Sequence, residues 1–558
     1  MMRTFIILLG FALIFSACGS SKPGENDLGN KKLFRYNQTG GLTSLDPAFA
    51  NKRSNIWATT QLFNGLFSFS SNLDVHPELC REWEVSEDGK IYTFKIKEGV
   101  RFHDNKCFVK TNGKGRDVVA GDFVFSFKRV LTTGTGAWIF NDKLLRGPDG
   151  NISDTCFVAL DDYTLRVYLN RRFPAFLQIL AMPYCFVVPK EAVEAYGDDF
   201  RANPVGTGPF KFQQWVERDK LLLAKNENYW KKDEDGNPMP YLDLVQITFI
   251  EDRNQEFQQF EKGELDFIAN LSDASKEKIL EKNGEIQEQF SSKYSVEKVP
   301  YLNTEYVGFY LGNGEKNPFT NAKVRQALSY AIDRTKLVSY IRNGLGTPGD
   351  YGVVPTALPS FDSTKVKGYP FNMRKAQELL KEAGFANGTG LPVLKLYTYT
   401  SDRSLAEYLQ NSWKEIGVKV EIETNQFATH QEMVDNGKVN FFRGSWLGDY
   451  PDAENYLAMF YSKNFAPKGP NKTHFSNPDF DRLFEEAHET DNLFTRYEDY
   501  LRMDQIVMNE APIIVLYYDE VLQLTQPWVI GLKADPMNNL ILETVDIKRN
   551  GSEVATNK

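Results

Sequence analysis

The chain has 558 residues, of which 42% are hydrophobic, 13% aromatic and 25% charged, the proportions of a packed globular protein and not of a disordered, collagen-like or coiled-coil chain. At about 150 residues per domain this length predicts three or four domain-sized units. The 65 Lys and Arg against 74 Asp and Glu give a net charge of −9, and no basic run stands ready to neutralise a row of phosphates, which argues against a nucleic acid partner.

Residues 1–17 read as an export signal: Arg3 supplies a positive start, residues 5–15 are apolar, and Ser16 and Ala17 are small. As a helix the apolar stretch reaches about 16 Å, short of a hydrocarbon core of ~30 Å, so it does not span a membrane. The run Phe15-Ser16-Ala17-Cys18 resembles the lipobox of bacterial lipoproteins, with Phe15 where Leu is usual. That resemblance implies cleavage before Cys18, acylation of Cys18, and an extracytoplasmic protein anchored in the periplasm or cell envelope. An ordinary signal peptide with a cysteine near its end is the alternative. Residues 18–30, the lipidated cysteine and a stretch rich in Ser, Gly, Asn and Lys, would form a flexible stalk.

Four further cysteines follow, Cys80, Cys107, Cys156 and Cys185. In an exported protein they allow two disulfides in any of three connectivities, or four buried thiols packed as small apolar groups. No Cys-x-x-Cys spacing occurs, and His76 and His103 stand alone, so a metal site is not expected.

Residues 33–300 carry short alternating runs. Tyr92, Phe94 and Ile96 alternate with Thr93, Lys95 and Lys97 after the turn Glu87-Asp88-Gly89-Lys90, a hairpin signature, and residues 157–160 and 164–169 suggest another around Asp161-Asp162. From about Tyr301 strands alternate with helices. Residues 392–400 read as a strand, Leu405, Leu409, Trp413 and Ile416 as a helical stripe, Gly417 as its C′ glycine, and Val418, Val420 and Ile422 as the next strand. This β-α-β unit predicts a parallel, doubly covered sheet. Further stripes are Val324, Leu328, Ala331 and Ile332, and Leu379, Leu380 and Ala383; residues 496–510 read as a helix ended by Pro512, and residues 513–518 as a last strand.

Several chemistries have no residues to carry them. Neither Gly113-Lys114-Gly115 nor Gly437-Lys438-Val439 completes a phosphate-binding loop, and Pro209 follows Gly206-Thr207-Gly208 where a dinucleotide-binding helix should begin. Gly444-Ser445-Trp446-Leu447-Gly448 lacks the spacing of a nucleophile elbow, and none of the five histidines pairs with a nucleophile in sequence. No enzyme activity and no cofactor are expected; an exported hydrolase, the rival class, would need an acid–base pair facing one cleft.

Colinear segments carry a family resemblance. They are Ser44-Leu45-Asp46-Pro47, Leu62-Phe63-Asn64-Gly65-Leu66, residues 83–94 (Trp-Glu-Val-Ser-Glu-Asp-Gly-Lys-Ile-Tyr-Thr-Phe), residues 99–104, Pro204-Val205-Gly206-Thr207-Gly208-Pro209-Phe210, Asn228-Tyr229-Trp230, Val324-Arg325-Gln326-Ala327-Leu328, Ala331-Ile332-Asp333-Arg334, Trp446-Leu447-Gly448-Asp449-Tyr450 and Gln526-Pro527-Trp528. Together they resemble the solute-binding proteins of the peptide and nickel ABC-importer family, of dipeptide- and oligopeptide-binding type. The resemblance implies an α/β, two-lobed, hinged clamp with mixed sheets that closes over a peptide and presents it to an ABC permease, working as a monomer. Lobe I would comprise residues 31–301 plus 513–558, with a β-rich subdomain at about 76–194, and lobe II residues 302–512. Another solute on the same scaffold, such as an oligosaccharide or a metallophore, or a sensor role, is the alternative within the family.

The resemblance also assigns site residues. An aspartate matching Asp449 takes the peptide ammonium and an arginine matching Arg443 the carboxylate, a division that suits Asp as acceptor and Arg as bidentate donor. Trp446 and Phe427 would be aromatic cleft walls, and residues 41–43, with Leu42 and Thr43, would pair with the ligand backbone as an added strand. Asn270, Tyr306 and Tyr518 would line the cleft. A turn aspartate, a surface ion-pair arginine and core aromatics are the structural alternatives for these positions.

Overall fold

The computed structural model describes residues 31–133, 135–269, 271–312 and 317–548. Cys18, residues 1–30 in general, and Asn270 lie outside the described residues. No helix among the described residues is long and apolar enough to cross a membrane.

One eleven-stranded sheet threads the molecule. Two long strands, Ser295–Phe309 and Ile513–Thr525, lie side by side at its centre. To one side of them stand Phe441–Leu447, Leu394–Tyr399 and Val420–Asn425; to the other stand Phe267–Ala269, Leu33–Asn37, Leu244–Thr248, Lys220–Lys225 and Phe210–Val216, and the short Thr347–Pro348 pairs with Ile513–Thr525 off this path. The long strands pair antiparallel in two blocks, Ser295 to Pro300 against Thr525 to Glu520, then Thr304 to Gly308 against Tyr518 to Ile513, with a register shift between the blocks. A break of that kind bends and twists a ladder. It marks the place where both strands pass from one half of the molecule to the other.

Packing on either side of the break shows the division. Ile513, Val515 and Tyr518 belong to one apolar cluster, with Tyr456, Phe480 and Met503, while Ile514 and Leu516 belong to another, with Val324, Leu409 and Trp413. From Ile513 to Leu516 alternate residues thus bury on opposite faces of the sheet, as the period of two requires; a second register shift, between Glu305 and Tyr306, skips Leu516 and brings Tyr518 onto the face of Ile513 and Val515. Past the break, Leu522 and Leu524 pack instead with Phe257, Phe260 and Leu265. The packing partners of the strand therefore change between Tyr518 and Leu522.

The β-α-β unit forms as its spacing requires. Leu394–Tyr399 and Val420–Asn425 run parallel, the helix Arg403–Lys414 connects them with Leu405, Leu409 and Trp413 buried, and Gly417 takes a left-handed φ of +82°. The sheet around the unit is mixed, not parallel throughout, because Phe441–Leu447 pairs antiparallel with Ser295–Phe309. In the first half, Cys80–Val85 and Ile91–Ile96 make the expected hairpin, extended by Thr164–Tyr168 and Phe157–Asp161. Tyr92, Phe94 and Ile96 point into the largest cluster, which also contains Cys80, Cys107, Cys156 and Cys185 as free buried thiols. Of the two readings of these cysteines, the structure carries the second.

Candidate functional site

The first wall of the site is the helix Arg53–Leu62, whose inward face carries Trp57, Ala58 and Leu62. Its far end is clamped by the Gly206-Thr207-Gly208 turn. A Cβ on Gly206 would lie 2.0 Å from the Leu62 carbonyl oxygen, and one on Gly208 would lie 2.5 Å from the Leu62 carbonyl carbon. Only glycine permits this approach, and the Gly208 N–H donates to the Leu62 carbonyl at 2.9 Å. The helix is tied to the C-terminal segment by Trp57 Nε1 donating to the Asn538 carbonyl (2.6 Å) and Gln61 Nε2 to the Leu540 carbonyl (2.7 Å).

The second wall comes from the other half. The strand Phe441–Leu447 ends at Gly448, whose N–H donates to the Leu302 carbonyl (2.8 Å), an oxygen that also accepts from Tyr456 Oη (2.6 Å). A Cβ on Gly448 would sit 2.6 Å from Tyr456 Oη, so the turn before Asp449 is fastened to the crossing segment through a contact that excludes larger residues.

Between these walls lies a cavity of about 280 Å³, near the lower end of the ~300–1,000 Å³ common for small-ligand sites. Its surface includes Phe63, Tyr184 and Phe186 from the first half, Tyr301 from the crossing, and Leu447, Gly448 and Asp449 from the second half. Asp449 has no ion-pair partner among the described residues. Its Oδ2 accepts from Asn455 Nδ2 (3.4 Å), and its N–H donates to Asn455 Oδ1 (3.2 Å). Burial pushes its pKa up to about 6, against the opposing pull of the Asn455 hydrogen bond and of Lys143. A carboxylate held this way is costly without a cation and suited to receive one.

The floor carries a second charged group. Lys231 Nζ donates to Glu78 Oε1 (2.8 Å) and Glu543 Oε1 (3.1 Å), Glu78 Oε1 also accepts from Asn64 Nδ2 (2.8 Å), and Tyr229 Oη donates to Glu543 Oε2 (2.8 Å). Burial opposes the lysine charge, but the two carboxylates outweigh it and raise the Lys231 pKa. Arg53 completes the set of charged side chains on the wall.

Of the residues singled out in sequence, the structure brings Asp449 to the cavity and several others elsewhere. Arg443 is a correction: it is 3% exposed and does not line the cavity. Its guanidinium bonds the Glu305 carboxylate and the Tyr306 carbonyl (2.9 Å) and lies 3.5 Å from Asp402. Burial works against that charge, yet Glu305, Tyr517 and Asp402 together hold its pKa above the ordinary value. Trp446 is half-buried beside Asp449, its Nε1 donating to Asn455 Oδ1 (2.9 Å), so it positions the site and does not wall it. Phe427 is 66% exposed and stacks on Tyr399 away from the cavity. Tyr306 is buried beneath Gly444, and Tyr518 is buried with its hydroxyl on the Gly352 carbonyl (2.6 Å), so both are core. Leu42 and Thr43 lie in a loop and not in a strand; the Thr43 N–H is held by Asn55 Oδ1 (3.2 Å). Sequence reasoning missed Arg53, Lys231, Glu78 and Glu543. Their separation along the chain gives no local signal, and only the fold brings them together.

Two halves joined by paired crossing strands, with a charged cavity between them, define a two-lobed solute-binding protein. Residues 74–468 match the model described as bacterial extracellular solute-binding proteins, family 5 Middle, and the chain belongs to that family. It is similar to the heme-binding protein A of Haemophilus influenzae, with 29% identity across 96% of this chain and 97% of that one. It is also similar to the dipeptide-binding protein of Escherichia coli, with 28% identity across 88% and 90% of the two chains. Among solved structures, HbpA2 from Haemophilus parasuis superposes with a TM-score of 0.78 at 25% identity, covering 93% of this chain and all of that one (100%).

Proposed function

We propose that this protein is a lipid-anchored receptor that captures short peptides between its lobes and delivers them to an ABC import permease, without chemical turnover of its own. The observation that carries this reading is Asp449: a carboxylate raised in pKa by burial, without an ion partner among the described residues, on the face where the two halves meet. A peptide ammonium supplies the missing cation, and the largely apolar remainder of the wall tolerates varied side chains. The similarity to a dipeptide-binding protein supports the same ligand class. The lobes of this reading are residues 31–301 with 513–558, and residues 302–512. Anchoring rests on Cys18 and its neighbours: palmitate labelling of wild type, absent in Cys18→Ala, is the expected result.

The test is native mass spectrometry of protein purified without denaturation, followed by calorimetry with whatever peptide is released. Recovery of peptides that rebind supports the reading; consistent recovery of a solute without an amine overturns it.

A further inference from the structure

The charged side chains that line the cavity are Arg53 and Lys231 against Glu78, Asp449 and Glu543, so at neutral pH its wall carries one more negative charge than positive. A peptide zwitterion adds no net charge and leaves that excess enclosed with it, which is costly away from water. Apart from Asp449, the acidic groups sit at the floor. There Lys231 Nζ lies 2.8 Å from Glu78 Oε1 and 3.1 and 3.2 Å from the two Glu543 oxygens, so one ammonium serves two carboxylates. Glu78 is the inner of the two: its side chain is 7% exposed, and its Oε1 also accepts from Asn64 Nδ2. Glu543 is the outer one, 19% exposed. Its Oε2 accepts from Lys231 and from Tyr229 Oη, whereas its Oε1 accepts from Lys231 and keeps room for a second donor. Lys97, the next cation, lies 4.5 Å from the Trp230 ring and does not line the cavity.

We propose that Glu543, backed by Glu78, receives a basic side chain of the bound peptide, so that the receptor selects peptides carrying a lysine or an arginine; this rests on the peptide reading above. Such a side chain brings the enclosed charge to neutrality and shares Glu543 with Lys231, while Asp449 remains for the ammonium. A glutamate in the same place adds to the excess and is rejected. The rest of the lining is largely apolar, with Phe69, Phe186 and Leu542 among it, and suits the methylene stem behind the charge. The C-terminal segment thus contributes specificity through Glu543, besides fastening the helix Arg53–Leu62 through the carbonyls of Asn538 and Leu540.

Alanine tripeptides in which one position carries lysine, norleucine or glutamate test this, each set pooled over the three positions and titrated calorimetrically into wild type, Glu543→Gln and Glu543→Asp. Norleucine keeps the stem of lysine without its charge. Wild type is expected to prefer the lysine pool to the norleucine pool by about tenfold or more, in line with the coupling of close charge pairs across an interface, and to bind the glutamate pool most weakly. In Glu543→Gln the lysine-to-norleucine ratio falls toward one. Glu543→Asp, which keeps the charge, retains part of the ratio and separates charge recognition from damage to the fold. A wild-type ratio near one overturns the basic-side-chain subsite and leaves the peptide reading standing, and a ratio that stays at the wild-type value in Glu543→Gln overturns the assignment to Glu543. A wild type that binds none of the pools removes the peptide reading, and this proposal with it.

Discussion

Asp449 and Asn455 hold each other through both side chain and backbone: the Asp449 N–H donates to Asn455 Oδ1 at 3.2 Å, and Asn455 Nδ2 donates to Asp449 Oδ2 at 3.4 Å. The asparagine therefore fixes the turn and lowers the cost of the charge on the same carboxylate. Asn455→Ala removes both effects and leaves Trp446 Nε1 without its acceptor. Peptide affinity is expected to fall by about 1.5–3 kcal/mol, the range for losing a hydrogen bond to a charged group. Calorimetry on the purified variant measures it, and an unchanged affinity would show that the asparagine is only structural.

Asp449 also makes ligand binding depend on pH. Its carboxyl titrates at about 6 in place of 3.8, and only the ionised form pairs with an ammonium. Affinity for peptides is expected to drop as pH falls through 6, by about tenfold per unit once the acid form dominates. The stability of the unliganded protein runs the other way. The folded pKa lies above the unfolded one, so the contribution of this group is fully present below 3.8 and is lost as pH rises through about 6. Asp449→Ala should therefore lower peptide affinity by about 3–5 kcal/mol, flatten both pH profiles, and leave the unliganded protein no less stable at pH 7. Calorimetry and thermal melts between pH 4 and 8 test all three.

Arg443 makes the opposite prediction. Its charge is shared with Glu305 and Asp402, whose side chains are 13% and 27% exposed. Arg443→Met strips both carboxylates of their cation inside the second half. Removing one partner of a buried pair costs about 3–5 kcal/mol, so the variant should unfold at markedly lower denaturant while peptide affinity per folded molecule stays close to wild type. A large loss of affinity with intact stability would return Arg443 to the ligand.

The four thiols offer a chemical check on the core of the first half. Burial pushes Cys80 up to about 12 and Cys107 and Cys156 up to about 11, and moves Cys185 in the same direction. Thiolate, not thiol, attacks disulfide reagents. In a Cys18→Ser protein, a thiol reagent at pH 8 should find almost no reactive cysteine in the native state and all four in concentrated guanidinium. Fewer than four after unfolding without reductant would reveal a disulfide.

What could be read from the sequence was local. Alternation placed Tyr92, Phe94 and Ile96 on one face of a strand, and helical spacing placed Leu405, Leu409 and Trp413 on one face of a helix, because one period of burial decides each. The long strand Ile513–Thr525 was legible only to Tyr518. The acidic pair Asp519-Glu520 looks like an end, but the partners that keep these charges in the sheet, Arg342 for Asp519 and Lys298 for Glu520, stand far away in sequence. Motif resemblance singled out Asp449, which lines the cavity, and Arg443, which does not, since a sequence shows that an arginine is present and not that Glu305 and Asp402 already occupy it. Other shared motifs prove structural: Asp46 caps Pro47–Phe49 and pairs with Arg129, while Arg334 is buried on the carbonyls of Val515 and Tyr369.

Arg172 and Phe173 of the first half make two unlike contacts with the second, and their magnitudes predict which matters. Arg172 pairs with Asp491 of the second half, but the Asp491 side chain is 78% exposed, where an ion pair is worth about 0–1 kcal/mol. Next to it Phe173, buried in the first-half cluster, lies 6.3 Å from the Tyr450 ring and 5.7 Å from the His488 ring. Aromatic pairs of this geometry add about 0.5–1.5 kcal/mol beyond their buried area, and the area itself is lost to water when the rim opens. Asp491→Ala should thus leave the solution shape and peptide affinity nearly unchanged. Phe173→Leu, which keeps apolar volume but not the ring contacts, should shift the unliganded protein toward an open form, seen as a larger radius of gyration by X-ray scattering, and weaken peptide binding severalfold through faster dissociation. A larger effect from Asp491→Ala than from Phe173→Leu would show that the exposed ion pair, not the buried ring, closes the cleft.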